Sequence, residues 1–224
     1  MARTYAQLLI KIPSRERPGQ LQRLVQELDR LCERPSDTSI LITADEDQRS
    51  TYEPLLKSFK ALRIPVRMLF GTRRTKIEAV NRDLHRSSGW DIVAVVSDDM
   101  KPVVVGYDQV IRKYMRTHFP KGDGCLWFHD GYQDRVCTMP VMDRIYYDRD
   151  LNIYDPRFDS YYADDAQTEL ALARGRMRKI GECLFRHEHC CWNSSVPNDA
   201  LYRHNRSAKE RDRLLYQVIR RGYP

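Results

Sequence analysis

Asp91-Ile92-Val93-Ala94-Val95-Val96 runs directly into Ser97-Asp98-Asp99-Met100, and this junction decides how the chain is read. An unbroken apolar run between polar residues fits a strand buried on both faces. Burying an unpaired carboxylate is costly, so two of them at the end of such a strand are expected to emerge into a site and meet a cation there. Adjacent side chains on a strand point to opposite faces, which gives the two acids different tasks: one reaches a metal, the other a ligand hydroxyl or a neighbouring loop. An Asp-Asp turn is the ordinary alternative, since Asp is common in turns.

Working outward, the same unit repeats upstream. Leu8-Leu9-Ile10-Lys11-Ile12 reads as a strand, Pro13-Ser14-Arg15-Glu16-Arg17-Pro18-Gly19 as a polar loop, and Leu21, Leu24, Val25, Leu28 and Leu31 recur at helical spacing. Ser39 to Thr43 is a second strand, followed by the acidic loop Ala44-Asp45-Glu46-Asp47-Gln48 and a helix from Tyr52 to Leu62. Val66 to Phe70 is a third strand, with a helix from about Lys76 to Arg86 behind it. Strands alternating with helices across short connections imply an α/β fold with a parallel sheet. Ligands of such sheets bind beyond the carboxyl ends of the strands. The polar groups Ser14/Arg15/Arg17, Asp45/Asp47 and Asp98/Asp99 all fall there.

Downstream the pattern is less regular. The sequence predicts a short strand or turn at Val103-Val104-Val105, a helix from Tyr107 to Tyr114 and a strand over Cys125-Leu126-Trp127-Phe128. A mixed strand region follows from Val136 to Tyr147, then a helix from about Asp164 to Arg174, a strand over Ile180 to Phe185, and a C-terminal helix marked by Leu214, Leu215, Val218 and Ile219. The whole reads as a single domain: residues 1–100 form a nucleotide-binding half, 101–200 an acceptor-side half, and 201–224 a basic C-terminal helix.

The 224 residues can bury a substantial core. No apolar run approaches the roughly 18 to 20 residues of a membrane span, and no signal-peptide pattern opens the chain. The six cysteines contain no Cys-x-x-Cys pair and read as reduced thiols, so the expected location is cytoplasmic. A net charge of +7 favours acidic partners. It concentrates in two stretches: residues 63–76, with Arg63, Arg67, Arg73, Arg74 and Lys76, and residues 201–224, with seven Arg or Lys against Glu210 and Asp212.

In order and spacing these motifs resemble the GT-A glycosyltransferases, family-2-like enzymes in particular. The resemblance rests on Ile12-Pro13-Ser14-Arg15-Glu16-Arg17-Pro18 at the first strand, the acidic loop after the second, and Lys76-Ile77-Glu78-Ala79-Val80-Asn81 in the third helix. Ser97-Asp98-Asp99, Tyr162-Ala163-Asp164-Asp165 and the late His187-Glu188-His189 complete it. It implies a Rossmann-like, nucleotide-sugar-binding GT-A fold, with a mostly parallel central sheet flanked by helices. The implied activity is inverting, metal-dependent transfer of a sugar from a nucleotide-diphosphate donor, a UDP-sugar by resemblance, to an acceptor hydroxyl.

Such transfer needs a cation on the departing diphosphate, because negative charge builds on the leaving oxygen. Mg²⁺ or Mn²⁺ suits a carboxylate plus phosphate oxygens, and an added imidazole favours Mn²⁺. Asp99 is expected on the metal side and Asp98 on the ribose or sugar hydroxyls. Ser97 stands where the family's Asp-x-Asp pattern has its first acid, which departs from that pattern. The resemblance places Asp165 as general base, though Asp164 and Asp165 also stand where helix-capping acids would. It adds His187 or His189 to the metal shell, and alternation puts both on one side. A zinc site built on His187-Glu188-His189-Cys190-Cys191 lacks a second ligand pair at finger-like spacing. Arg15 and Arg17, beside Pro13 and Ser14, are expected on the pyrophosphate and Asp45 on the base, with Lys76 and Asn81 completing the donor site. Trp127, Phe128, Tyr132, Tyr161 and Tyr162 offer stacking surfaces for a sugar or a base.

Two other functions fit parts of the sequence. A nucleotidyltransferase can use the same sheet and a metal-bound carboxylate pair, but it needs a glycine-rich first loop, which Pro13 to Gly19 is not. A non-enzymatic nucleic-acid-binding module would use the basic stretches, although carboxylates at the strand ends repel phosphates unless cations intervene. The acceptor is open among glycans, proteins, small metabolites and a hydroxylated base in DNA. The basic C-terminal segment keeps DNA in that set.

Overall fold

A computed structural model describes residues 3–72, 75–190, 194–196 and 199–223. Arg73, Arg74 and Cys191, named above from the sequence, lie outside the described residues.

The first half follows the strand-and-helix reading closely. Its elements are β1 (Leu8–Pro13), α1 (Pro18–Leu31), β2 (Thr38–Asp45), α2 (Arg49–Tyr52), α3 (Leu55–Phe59), β3 (Val66–Gly71), α4 (Lys76–Asn81) and β4 (Ile92–Val95). Pro18 starts α1, where its missing N–H costs nothing, and Leu21, Leu24, Val25, Leu28 and Leu31 form the buried face. The single helix expected over Tyr52 to Leu62 is instead two short ones, α2 and α3. Pro54 falls between them and has no N–H to continue the hydrogen-bond ladder. The helix beginning at Lys76 stops at Asn81 rather than Arg86. Arg82 turns extended and Asp83 enters the left-handed region at φ 73°.

The second half contains β5 (Met100–Pro102), α5 (Tyr107–His118), β6 (Cys125–Phe128), β7 (Pro140–Asp143), α6 (Arg144–Asp150), α7 (Ala163–Ala173), β8 (Met177–Ile180), β9 (Phe185–His187), α8 (Ala200–Arg206) and α9 (Lys209–Ile219). Val103 and Val105 lie in a turn and are exposed, so the short strand is Met100–Pro102 instead. The mixed strand region resolves into β7 and α6, switching at Asp143, whose carboxylate caps α6 by accepting from the Tyr146 N–H at 2.9 Å. The strand expected over Ile180 to Phe185 is broken, because the chain there leaves one sheet for another: β8 pairs with β6, and β9 pairs with β5. The C-terminal segment forms two helices rather than one.

Seven strands in the order β3-β2-β1-β4-β7-β6-β8 make one central sheet. β3, β2, β1 and β4 run parallel, β7 is antiparallel to both its neighbours, and β8 is parallel to β6. One apolar layer, with Ile10, Ile12, Ile42 and Ala94, packs against α1 and α5, and the other, with Leu9, Leu41 and Val93, against α4, α6 and α7. The order reverses between β1 and β4, which opens a crevice beyond their carboxyl ends. The loops carrying Ser14 to Arg17 and Ser97 to Asp99 leave the sheet on either side of it.

One charge breaks the apolar pattern of β1. Lys11 is fully buried, its ammonium bonded to Thr43, which donates in turn to Asp83 at 3.0 Å. Burial pushes the Lys11 ammonium down to about 7, against the pull of Asp83.

Candidate active site

The loop after β1 and the end of β4 meet through hydrogen bonds. Ser14 Oγ donates to Asp98 Oδ2 at 2.7 Å and lies 2.9 Å from the Tyr52 hydroxyl, which also accepts from the Arg17 N–H at 3.0 Å. Arg17 bridges the acid pair: Nη1 reaches Asp98 Oδ1 at 3.1 Å and Asp99 Oδ2 at 3.3 Å, while Nε donates to Asp199 at 2.8 Å. Both acids are buried, at 5% and 9% exposure, so the guanidinium supplies charge compensation that water cannot. Burial and the neighbouring Asp99 charge push the Asp98 carboxyl upward. Burial alone would raise Asp99 too, but its neighbours His187, Ser97 and Arg17 hold it well below the usual carboxylate range.

β9 delivers His187 to the same point. Its backbone N–H donates to the Asp130 carbonyl at 2.8 Å, and Nε2 stands 3.4 Å from Asp99 Oδ1. Asp99 Oδ1, His187 Nδ1 and Arg17 Nη2 are buried without a hydrogen-bond partner. His189 follows the end of the strand, its ring 4.4 Å from that of Tyr202, and burial, with His187 adding to it, pushes its imidazole down to about 4. The charge of exposed Lys76, at the start of α4, reaches His189. Tyr202 of α8 closes the cluster: its hydroxyl donates to Asp99 Oδ2 at 2.8 Å and its ring lies under the Arg17 guanidinium at 4.1 Å. Among the described residues no group of three or more His, Cys, Asp or Glu side chains is arranged to hold a metal. The described part of the zinc candidate, His187, Glu188, His189 and Cys190, forms no such group, and Cys191 lies outside the described residues.

The adjoining loop holds a second charge group. Arg15 donates to Asp45 at 2.6 Å and to Asp47 at 3.1 Å, and Arg82 approaches Asp45 at 3.7 Å. Pro13, half-buried, ends β1 between the two groups. Asn81 is engaged inward, donating to the Tyr154 carbonyl at 2.7 Å and accepting from Ile153 and Tyr154 N–H groups at 2.9 and 3.1 Å. Two surface cavities of about 610 and 340 Å³ open elsewhere, and neither is lined by Asp98, Asp99 or His187.

Asp165 sits in the first turn of α7, and no described hydrogen bond or ion pair joins it to the carboxylate pair. Burial, and then the Asp164 charge, push its carboxyl up to about 6, with Arg135 opposing and Glu169 adding to the rise. The segment from residue 130 to 138 links this acid to the cluster around Asp99 and His187. The Asp130 carbonyl accepts the His187 N–H, the charge of Arg135 opposes the rise at Asp165, and the Cys137 N–H donates to Thr168 on α7 at 2.9 Å. Asp130 fixes that loop by accepting from Tyr132, Gln133 and Thr138. Of the aromatic set, Trp127 and Phe128 are core residues, Tyr132 is exposed, and Tyr161 and Tyr162 are half-buried.

The sequence therefore assembles Ser14, Arg17, Asp98, Asp99 and His187 into one connected group and leaves Arg15 with Asp45 beside it. Tyr52, Asp199 and Tyr202 were not anticipated. Their partners lie 35 to 182 residues away, and nothing local in the sequence marks them. Lys11 did carry a signal, a lone cation inside an apolar strand.

Solved structures share this architecture. A mannosyltransferase from Pyrobaculum calidifontis, in complex with GDP-Man and Mn²⁺, superimposes with a TM-score of 0.61 at 12% identity, covering 79% of this chain and 55% of that one. TarS from S. aureus, in complex with UDP-GlcNAc, gives 0.63 at 12% identity, covering 80% and 58%. Glucosyl-3-phosphoglycerate synthase from Mycobacterium tuberculosis, with Mn²⁺, UDP and glucosyl-3-phosphoglycerate, gives 0.64 at 12% identity, covering 98% and 81%. The chain thus spans little more than half of the first two and most of the third. No family model matches the chain, and no curated protein sequence matches it. The fold is GT-A, an α/β architecture with a mostly parallel central sheet flanked by helices. No helix among the described residues is long and apolar enough to cross a membrane.

Proposed function

We propose that this chain is a metal-dependent, inverting glycosyltransferase that moves a sugar from a nucleotide-diphosphate donor, a UDP-sugar, to an acceptor hydroxyl. The observation that carries this reading is Asp99, four residues beyond β4, with Oδ1 buried, without a hydrogen bond and in ion-pair contact with His187 Nε2 at 3.4 Å. A carboxylate beside an imidazole would suit a divalent cation that takes its remaining ligands from diphosphate oxygens and water. The structures of similar fold hold Mn²⁺ with GDP-Man, or with UDP and a sugar product, which agrees with that donor class.

Asp99 and His187 would hold Mn²⁺ or Mg²⁺. When bound, that cation supplies positive charge to the departing diphosphate. Arg17, whose Nη2 is buried without a hydrogen-bond partner, would offer that donor to the pyrophosphate. Asp98, fixed by Ser14, accepts from ribose or sugar hydroxyls. Asp45 would take the base and Arg15, beside Pro13 and hydrogen-bonded to Asp45, the pyrophosphate, with exposed Lys76 completing the donor site. Asn81 acts indirectly, holding the segment at 153–154.

On the acceptor side, Asp165 removes the hydroxyl proton as the acceptor oxygen bonds to the anomeric carbon and the bond from that carbon to the phosphate oxygen breaks. One base on the face opposite the leaving group gives inversion. A carboxyl near 6 is ionised at neutral pH yet basic enough to take a proton in the transition state. The DNA reading gains no support from α9 and the turn after it, where Arg211, Arg213 and Arg220 pair with Asp159, Glu210 and Glu169. The acceptor class stays a hydroxyl.

A hydrolysis screen of UDP-, GDP- and dTDP-sugars with Mn²⁺ tests the function without an acceptor. Release of a nucleoside diphosphate that stops on chelation is expected. No release from any donor, with or without metal, contradicts the proposal.

A further inference from the structure

The C-terminal helix α9 is rich in cations, yet its one fully buried side chain is an acid, Asp212. A buried carboxylate persists only where donors fill its lone pairs. Here most of the donors are backbone, and Arg211 Nη1 adds a side-chain hydrogen bond to Oδ1 at 3.2 Å. The Asp159 N–H reaches Oδ1 at 3.1 Å, and the Ser160 and Tyr161 N–H groups reach Oδ2 at 2.8 and 2.9 Å. Arg211 strengthens the clamp through Asp159 at 2.7 Å, and the Ile77 N–H of α4 donates to the Asp159 carbonyl at 3.2 Å from the other side.

The clamped residues lead straight into Tyr162, which adopts φ 61°, in the left-handed region that a bulky side chain rarely enters without outside support. That support also comes from α9. Tyr216, one helical turn beyond Asp212, stacks on Tyr162 with ring centroids 5.4 Å apart and planes at 19°. Its hydroxyl donates to Glu169 of α7 at 2.5 Å. Residues 163 to 165 follow at once, so α9 sets the direction in which α7 starts.

We propose that Asp212 and Tyr216 are positioning residues for Asp165: they hold the left-handed entry to α7 and so aim the Asp165 carboxylate at the acceptor. The inference rests on the base role proposed above for Asp165. If the clamp is loosened, Tyr162 relaxes toward an ordinary conformation and the first turn of α7 swings with it. A misplacement of about 1 Å at a reacting group costs on the order of 100-fold in rate.

The test uses the full chain with Asp212→Asn, Tyr216→Ala and Tyr216→Phe, read by nucleotide-sugar hydrolysis and by hydrogen exchange of the amides at 159–161. Asp212→Asn should speed that exchange and lower kcat by about 10- to 100-fold, with donor KM changed less than about twofold. Tyr216→Phe keeps the stack and should keep kcat within about threefold, whereas Tyr216→Ala should lose as much as Asp212→Asn. The tyrosine pair decides the matter if Asp212→Asn does not fold. Folded Asp212→Asn or Tyr216→Ala with faster exchange and an unchanged kcat overturns the inference, as does equal loss in the two Tyr216 variants. In either case, an Asp165→Asn variant that is still inactive leaves the proposed function standing. An unmodified protein that turns over no nucleotide sugar sinks both.

Discussion

Tyr202 in α8 donates its hydroxyl hydrogen bond to Asp99 at 2.8 Å, across 103 residues of sequence. The oxygen it occupies, Oδ2, also faces Arg17, so the cation proposed at Oδ1 could add Oδ2 as a second ligand only by displacing one of the two.

Tyr202→Phe removes one of those competitors and keeps the ring under Arg17. Divalent metal should bind this variant about 3- to 10-fold more tightly, in line with one hydrogen bond to a charged group. Calorimetric titration with Mn²⁺ alone measures it. Equal or weaker Mn²⁺ binding by Tyr202→Phe contradicts a metal role for Asp99 Oδ2.

Asp165→Asn separates catalysis from donor binding. Transfer should fall by at least about 100-fold while the nucleotide Kd is kept, because the base acts on the acceptor proton alone. Stability should move the other way. Asp165 has its folded carboxyl raised to about 6 from 3.8, so its contribution is fully present below about pH 4 and is lost as pH rises through 6. At pH 7.5 the variant should be more stable than the parent by roughly 1 kcal/mol after solvent screening, and the gap should close by pH 4. Thermal unfolding across that range reads both limits.

Lys11 predicts a slope of opposite sign to that of Asp165. Its folded ammonium is pushed down to about 7 from 10.5, so between those values the unfolded chain binds more protons and stability rises with pH. From pH 7 to 9 the gain should be roughly 1–2 kcal/mol, read by urea unfolding. In Lys11→Met that gain should disappear. A parent protein whose stability is flat over this interval would show that the Lys11–Thr43–Asp83 group does not hold the lysine as described.

The parts of the fold legible in the sequence were those written in local periodicity. β1 to β4 announce themselves through apolar runs, and α1 through Pro18 and its leucine spacing. α7 is marked by the two acids of its first turn. Where the chain changes partner rather than pattern, sequence reasoning failed. Gly181 to Leu184 looks continuous with Ile180 and Phe185 but carries the chain from the central sheet to β5. Likewise, the charge of α9 suggested a surface for polyanions, while its buried Asp212 binds the backbone before α7. A count of charges cannot show which of them face inward. Ser14, Arg17, Asp98 and Asp99 come together because strand ends of a parallel sheet converge, whereas His187, on β9 of the two-stranded sheet, was expected only from the family resemblance. Tyr52, Asp199 and Tyr202 join them through tertiary contacts that no spacing rule encodes.

The claim on which the rest depends is that Asp99 joins a divalent cation to a nucleotide diphosphate. Titration of UDP and of GDP into the protein with Mn²⁺ and with chelator, repeated on Asp99→Asn, tests it most directly. The account predicts that one nucleotide binds with Mn²⁺, that chelation weakens it at least about 10-fold, and that Asp99→Asn binds it equally weakly with or without metal while remaining folded. Nucleotide binding that ignores Mn²⁺, or that keeps its full Mn²⁺ dependence in Asp99→Asn, would contradict it.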